Sequence, residues 1–133
     1  MRLIKESRGK RIHQEALGES TITDILSKIE PSTCPYIILE ADDGSYIQAV
    51  GGLKRMSIEA RIYDVDKIFK HYVIGKKLMS KVWCIIECSI GPVRILEHEL
   101  LDIEDAKMLF LEFFQNKTLL ENYNRRNVTK FFK

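Results

Sequence analysis

Apolar and polar positions alternate most regularly in the middle of the chain, between Tyr36 and Ile74. Through Met56, Ile58, Ala60 and Ile62 every second residue is apolar, while Arg55, Ser57, Glu59, Arg61 and Tyr63 point the other way. That period of two belongs to a strand with one face buried and one face polar. Asp42-Asp43-Gly44, Gly51-Gly52 and Asp64-Val65-Asp66 punctuate the pattern with turn chemistry. The stretch reads as an antiparallel meander with strands at 36–41, 45–50, 54–63 and 67–74. Segments 82–89 and 93–99, separated by Gly91-Pro92, read as two more, so the sheet is expected to hold about six strands.

The spacing changes on either side. Ile22, Ile25, Leu26 and Ile29 fall at i, i+3, i+4 and i+7, which predicts a short amphipathic helix over 21–29. Thr21 with Asp24 has the form of a capping box, and Pro31 follows as a stop. Asp102 predicts the N-cap of a longer helix over 103–116, with Glu104 and Asp105 where the dipole favours negative charge. Its core stripe is Ile103, Ala106, Leu109, Phe110, Phe113 and Phe114; Met108 and Leu111 fall outside it, so the helix is expected either to be covered on two sides or to offer apolar surface to a partner. Residues 1–19 suggest an edge strand at Leu3-Ile4 and then a loop, and 118–133 a basic tail docking on the rest. The expected fold is α+β: one domain, a mainly antiparallel sheet, and a short N-terminal and a longer C-terminal helix packed on it.

Composition narrows the function classes. The 133 residues, 45% hydrophobic and 30% charged, suit a single core. A net charge of +2 lacks the one-signed excess of a dedicated nucleic-acid binder. No segment approaches the roughly 20 apolar residues of a membrane span, and MRLIKESRGKRIHQ has no apolar signal core. A cytoplasmic location is therefore expected, with neither nucleic acid nor membrane as a direct partner. Cys34, Cys84 and Cys88 are expected to be reduced thiols.

Candidate chemistry is sparse. On a strand, Cys84 and Cys88 would stand roughly 13 Å apart, too far for one zinc with bonds of about 2.3 Å, so no metal or cofactor is expected. Glu59, Glu87, Glu97 and Glu99 lie in predicted strands beside His71 and His98, and a Glu/His pair on one sheet face would serve a small enzyme or ligand-binding domain. The plainer reading is a solvated face with cross-strand charge pairs. No nucleophile elbow or phosphate loop is present. Trp83, the single tryptophan, is expected in the core, the other reading being a large aromatic at a sheet edge that anchors a partner.

DGSYIQAVGGLKRMSIEARIY, then FKHYVIG, the Glu97-His98-Glu99 triplet and NYNRRNVTKFF together resemble small bacterial immunity proteins of contact-dependent growth inhibition and other polymorphic toxin systems. The likeness runs from about Tyr36 onward. It is strongest at 44–48 and 59–61, and Asn127 departs from it, standing where an acidic residue is expected. The resemblance implies a non-enzymatic inhibitor of one cognate toxin C-terminal domain encoded next to it, a nuclease or other nucleic-acid-targeting toxin. It points to Gln48, Glu59, Arg61 and His71, in the best-matching segments, as toxin-binding residues. A basic toxin site would also be met by Asp42, Asp43, Asp64 and Asp66. The plainer role for Glu59, Arg61 and His71 is a polar network that fixes sheet register.

Overall fold

The computed structural model describes residues 1–16 and 18–132 as one α+β domain. The strands are β1 (Arg2–Ser7), β2 (Lys10–Glu15), β3 (Tyr36–Glu40), β4 (Tyr46–Gly52), β5 (Arg55–Tyr63), β6 (Phe69–Gly75), β7 (Trp83–Ile86), β8 (Val93–Leu96) and β9 (Asn124–Asn127); the helices are α1 (Glu19–Leu26) and α2 (Ile103–Asn116). Seven strands form one antiparallel sheet in the order β2-β1-β3-β4-β5-β6-β9, and β7-β8 form a separate hairpin.

Alternation decides the layers. Ile37, Leu39, Ile47, Ala49, Ile58, Ala60 and Ile74 share one face, where they are buried against Ile22, Ile25 and Leu26 of α1 and Ala106, Leu109, Phe110 and Phe113 of α2. The opposite face is partly covered by the β7–β8 hairpin, whose Ile86 and Ile95 form a small second core with Val73 and Val128.

Several expectations are corrected. The sheet has seven strands rather than about six, because residues 1–19 contribute a hairpin rather than one strand and a loop, and the tail adds β9 at the far edge. Segments 82–89 and 93–99 pair only with each other, and the second ends in a 3-10 turn at Glu97–Glu99. The capping box at Thr21 does not form: α1 starts earlier, behind Gly18, and no side chain caps it. Its last turn tightens through Lys28 N–H to Ile25 O and Ile29 N–H to Leu26 O, which keeps Ile29 buried beyond the helix end. Met108 is exposed, so α2 is covered on one side only. Trp83 is exposed because it shares the outer face of β7 with Ile85, while Cys84 and Ile86 take the inner one. The Asp102 cap stands as predicted, its carboxylate accepting from Glu104 N–H and Asp105 N–H.

Gly51-Gly52 ends a strand instead of forming a free turn. Gly51 has φ +129°, and an added Cβ would lie 2.5 Å from the Arg55 carbonyl oxygen. Gly51→Ala is expected to destabilise by about 2–3 kcal/mol, combining backbone strain with that clash. Gly9, also left-handed but with open space around it, should cost only about 1 kcal/mol as alanine. Urea melts of the two variants test the difference, and equal midpoints would remove the steric argument.

Candidate binding site on the open sheet face

The meander register brings the four residues of the best-matching segments together. Gln48 stands opposite Glu59, and Arg61 opposite His71, all on the face away from the helices. His71 is buried. Arg61 Nε–H donates to His71 Nδ1 at 3.2 Å, which places the ring proton on Nε2, 2.8 Å from Glu59 Oε1. A Glu/His pair on one sheet face is the alternative reading for catalysis, yet here both ring nitrogens are engaged within the chain. The ring also lies under Phe132, at 4.3 Å between centroids. Such a triad can orient its members; it turns no free imidazole nitrogen toward a substrate.

Arg61 is held by aromatic rings as well. Its guanidinium carbon lies 4.0 Å from the Phe69 ring centre, 4.8 Å from Phe132 and 5.7 Å from Tyr46. The tail supplies the roof: His71 N–H donates to Thr129 Oγ1, and His71 O accepts from Val128 N–H. Tyr46 and Phe69 could have been found from alternation, each lying two residues before a predicted site residue. Phe132 carried no such signal, since only the folded tail brings it there.

Gln48 borders a groove of about 420 Å³ beside this triad. Ile4 and Ile38 form its floor, Tyr36 and Tyr46 stand toward its ends, Glu40 and Arg11 line it, and Ile90 reaches over from the β7–β8 turn. Among the described residues, the Gln48 amide and the Tyr36 and Tyr46 hydroxyls make no hydrogen bond within the chain, which leaves them for a ligand. Burial raises the Tyr46 phenol above its ordinary value near 10, so it stays a neutral donor.

The four predicted aspartates lie elsewhere, at the sheet end where the β3–β4 and β5–β6 turns meet. Asp42, Asp43 and Asp64 line a shallow depression there with Tyr63, Val65 and Lys67. Asp43 accepts from Ser45 N–H at 2.9 Å and Lys117 Nζ at 3.2 Å; the Ser45 amide is the main cause of its lowered pKa. Asp64 accepts from Asp66 N–H and Ile68 N–H. Asp43 and Asp64 therefore build the turns that carry them, leaving Asp42 and Asp66 without such a task.

Two buried polar pairings join residues that no local pattern in the sequence connects. Glu99 is wholly buried and takes a two-pronged contact from Arg126, with Nε at 2.8 Å and Nη2 at 3.0 Å. Asp105 is buried between Lys76 and Tyr123. Cys84 lies on β7, and Cys88 follows it, donating its thiol to Gly91 O. Among the described residues no three His, Cys, Asp or Glu converge as a metal site would need, and no helix is long and apolar enough to cross a membrane. No family model matches the chain, and no curated protein matches it either.

Proposed function

We propose that the protein is a binding protein of the immunity type, which neutralises a cognate toxin domain by docking the open sheet face against it. The observation that supports this most is the groove beside Gln48: a rigid strand floor offering unpaired amide and phenol groups, next to a His/Glu pair already consumed by internal bonds. A preformed, rigid surface loses little entropy on docking. The aspartates at the sheet end would form a polar rim that favours a basic partner and speeds encounter more than it adds affinity. A small ligand is the second reading, because about 420 Å³ falls within the size range of small-molecule pockets.

The test is co-purification with the product of the neighbouring toxin gene, followed by growth rescue on co-expression. Gln48→Arg is expected to weaken the complex at least about tenfold, the loss typical of a central interface contact, with an unchanged melting temperature. Glu59→Ala, which frees His71 from its acceptor, should lower the melting temperature as well. A complex indifferent to Gln48→Arg would move the interface off this face, and the lack of any complex would leave the groove to a small ligand.

A further inference from the structure

A second surface, independent of the toxin reading, lies on the segment between β6 and the outer face of the β7–β8 hairpin. Leu78, Met79, Val82 and Trp83 are 89%, 68%, 57% and 47% exposed within six residues of chain. Their exposure is built in rather than a consequence of a loose loop. Lys76 N–H donates to His98 O at 2.8 Å, Ser80 N–H to His98 Nδ1 at 3.0 Å, and Val82 O accepts from Glu97 N–H at 2.8 Å. Three anchors thus hold the backbone down while Leu78 and Met79 stand outward between them.

Cations surround these side chains. Lys77, Lys81 and Arg94 are exposed and form no ion pair among the described residues. Arg94 and Arg126 lie over the Trp83 ring at 4.6 and 5.5 Å. Of the neighbouring carboxylates, Glu99 is paired with Arg126 and Asp105 with Lys76, while among the described residues Glu97 and Glu87, just past the end of β7, form no ion pair.

We infer that this patch docks peripherally on an anionic lipid surface. Protruding aliphatic side chains enter the acyl boundary without needing a complementary cavity, an indole settles at the headgroup level, and lysines beside it reach the phosphates. A second copy of the chain fits poorly, since Lys77, Lys81 and Arg94 would face like charges. The expectation of no membrane partner rests on the lack of a spanning segment, and peripheral docking requires none, so the lack of a spanning helix among the described residues is no objection.

The full chain carries its own reporter, because Trp83 is its single tryptophan. It should be mixed with phosphatidylcholine vesicles and with vesicles carrying about 30 mol% phosphatidylserine, and followed by emission and co-sedimentation. The expected result is a blue shift and sedimentation with the anionic vesicles alone, both lost at high salt. The pairs Leu78→Asp/Met79→Asp and Lys77→Glu/Lys81→Glu should each weaken binding at least about tenfold with unchanged thermal melts, as all four side chains are exposed. Unshifted emission without sedimentation overturns the inference, and so does wild-type binding by both variants. Loss of a protein partner by both variants, with no vesicle binding by the parent chain, would reassign the patch to an acidic protein surface.

Discussion

Replacing Arg126 by alanine is expected to remove about 3–5 kcal/mol of folding stability, the usual cost of stranding a buried charge. Glu99 lies at 0% exposure, and its carboxylate accepts from Arg126 through both oxygens and from Leu96 N–H at 2.8 Å. The Glu99 hydrogen bond is the main reason the Arg126 guanidinium is held even more firmly protonated than usual. Without it Glu99 must stay charged and unpaired, or take up a proton, or break the 3-10 turn that carries it. The melting temperature should fall by roughly 10–20 °C.

A double replacement separates the worth of the pair from the cost of breaking it. With Glu99→Met and Arg126→Met together no charge is stranded, and most of the loss should be recovered. About 1 kcal/mol should stay missing, because Leu96 N–H loses its acceptor. A single Arg126→Ala that melts within 1 kcal/mol of the parent would mean that Glu99 is solvated. The pair also matters for the open face. Arg126 lies opposite Val73, Val73 opposite Glu59 and Glu59 opposite Gln48, so the cross-strand row that passes through Gln48 begins at this buried contact. Loosening β9 should therefore also loosen the Phe132 roof over His71 and Arg61.

What could be read in advance follows the range of each interaction. The meander and α2 were legible because their signals are local: alternation through Met56–Ile62, turn residues at Asp42-Asp43-Gly44, and a carboxylate cap at Asp102. Alternation also made Glu59 and Arg61 co-facial, and the register adds Gln48 and His71 to them. Contacts across long stretches of sequence left no trace. Arg126 and Glu99 are 27 residues apart, His71 and Thr129 58. Neither the composition nor the period of either segment implies the other.

The errors have local causes. Residue type alone places Trp83 in the core, whereas parity along Trp83-Cys84-Ile85-Ile86 sets it outward once the hairpin has one face on the sheet. Gly51-Gly52 has the composition of a turn, whereas here it permits a close backbone approach inside β4. Position in the first turn marks Asp105 only as a charge complementing the helix dipole, but its carboxylate is also a structural hub.

That hub supplies the second large effect. Asp105→Ala is expected to cost about 3 kcal/mol, from two polar groups left without their partner. Tyr123 O–H donates to Asp105 Oδ1 at 2.6 Å in a buried setting, and Asp102 N–H donates to Oδ2 at 3.1 Å. Lys76, half exposed, can turn to water and should add little. Burial alone would raise the Asp105 carboxyl, but the Lys76, Tyr123 and Asp102 contacts together outweigh it and hold it below the usual carboxylate range. A depressed folded value means that the carboxylate stabilises the fold above its ordinary value near 4, and that this contribution is lost as pH falls through the lowered one. Tyr123 has the opposite sign. Burial and the Asp105 carboxylate push its phenol well above 10, so its contribution is complete below that value and is lost only as strongly alkaline pH is approached. Asp105→Asn keeps an acceptor for Tyr123 and removes the titration. Its stability should fall less than that of the parent between about pH 5 and pH 2, and parallel acid curves for the two proteins would remove Asp105 as a source of the pH dependence.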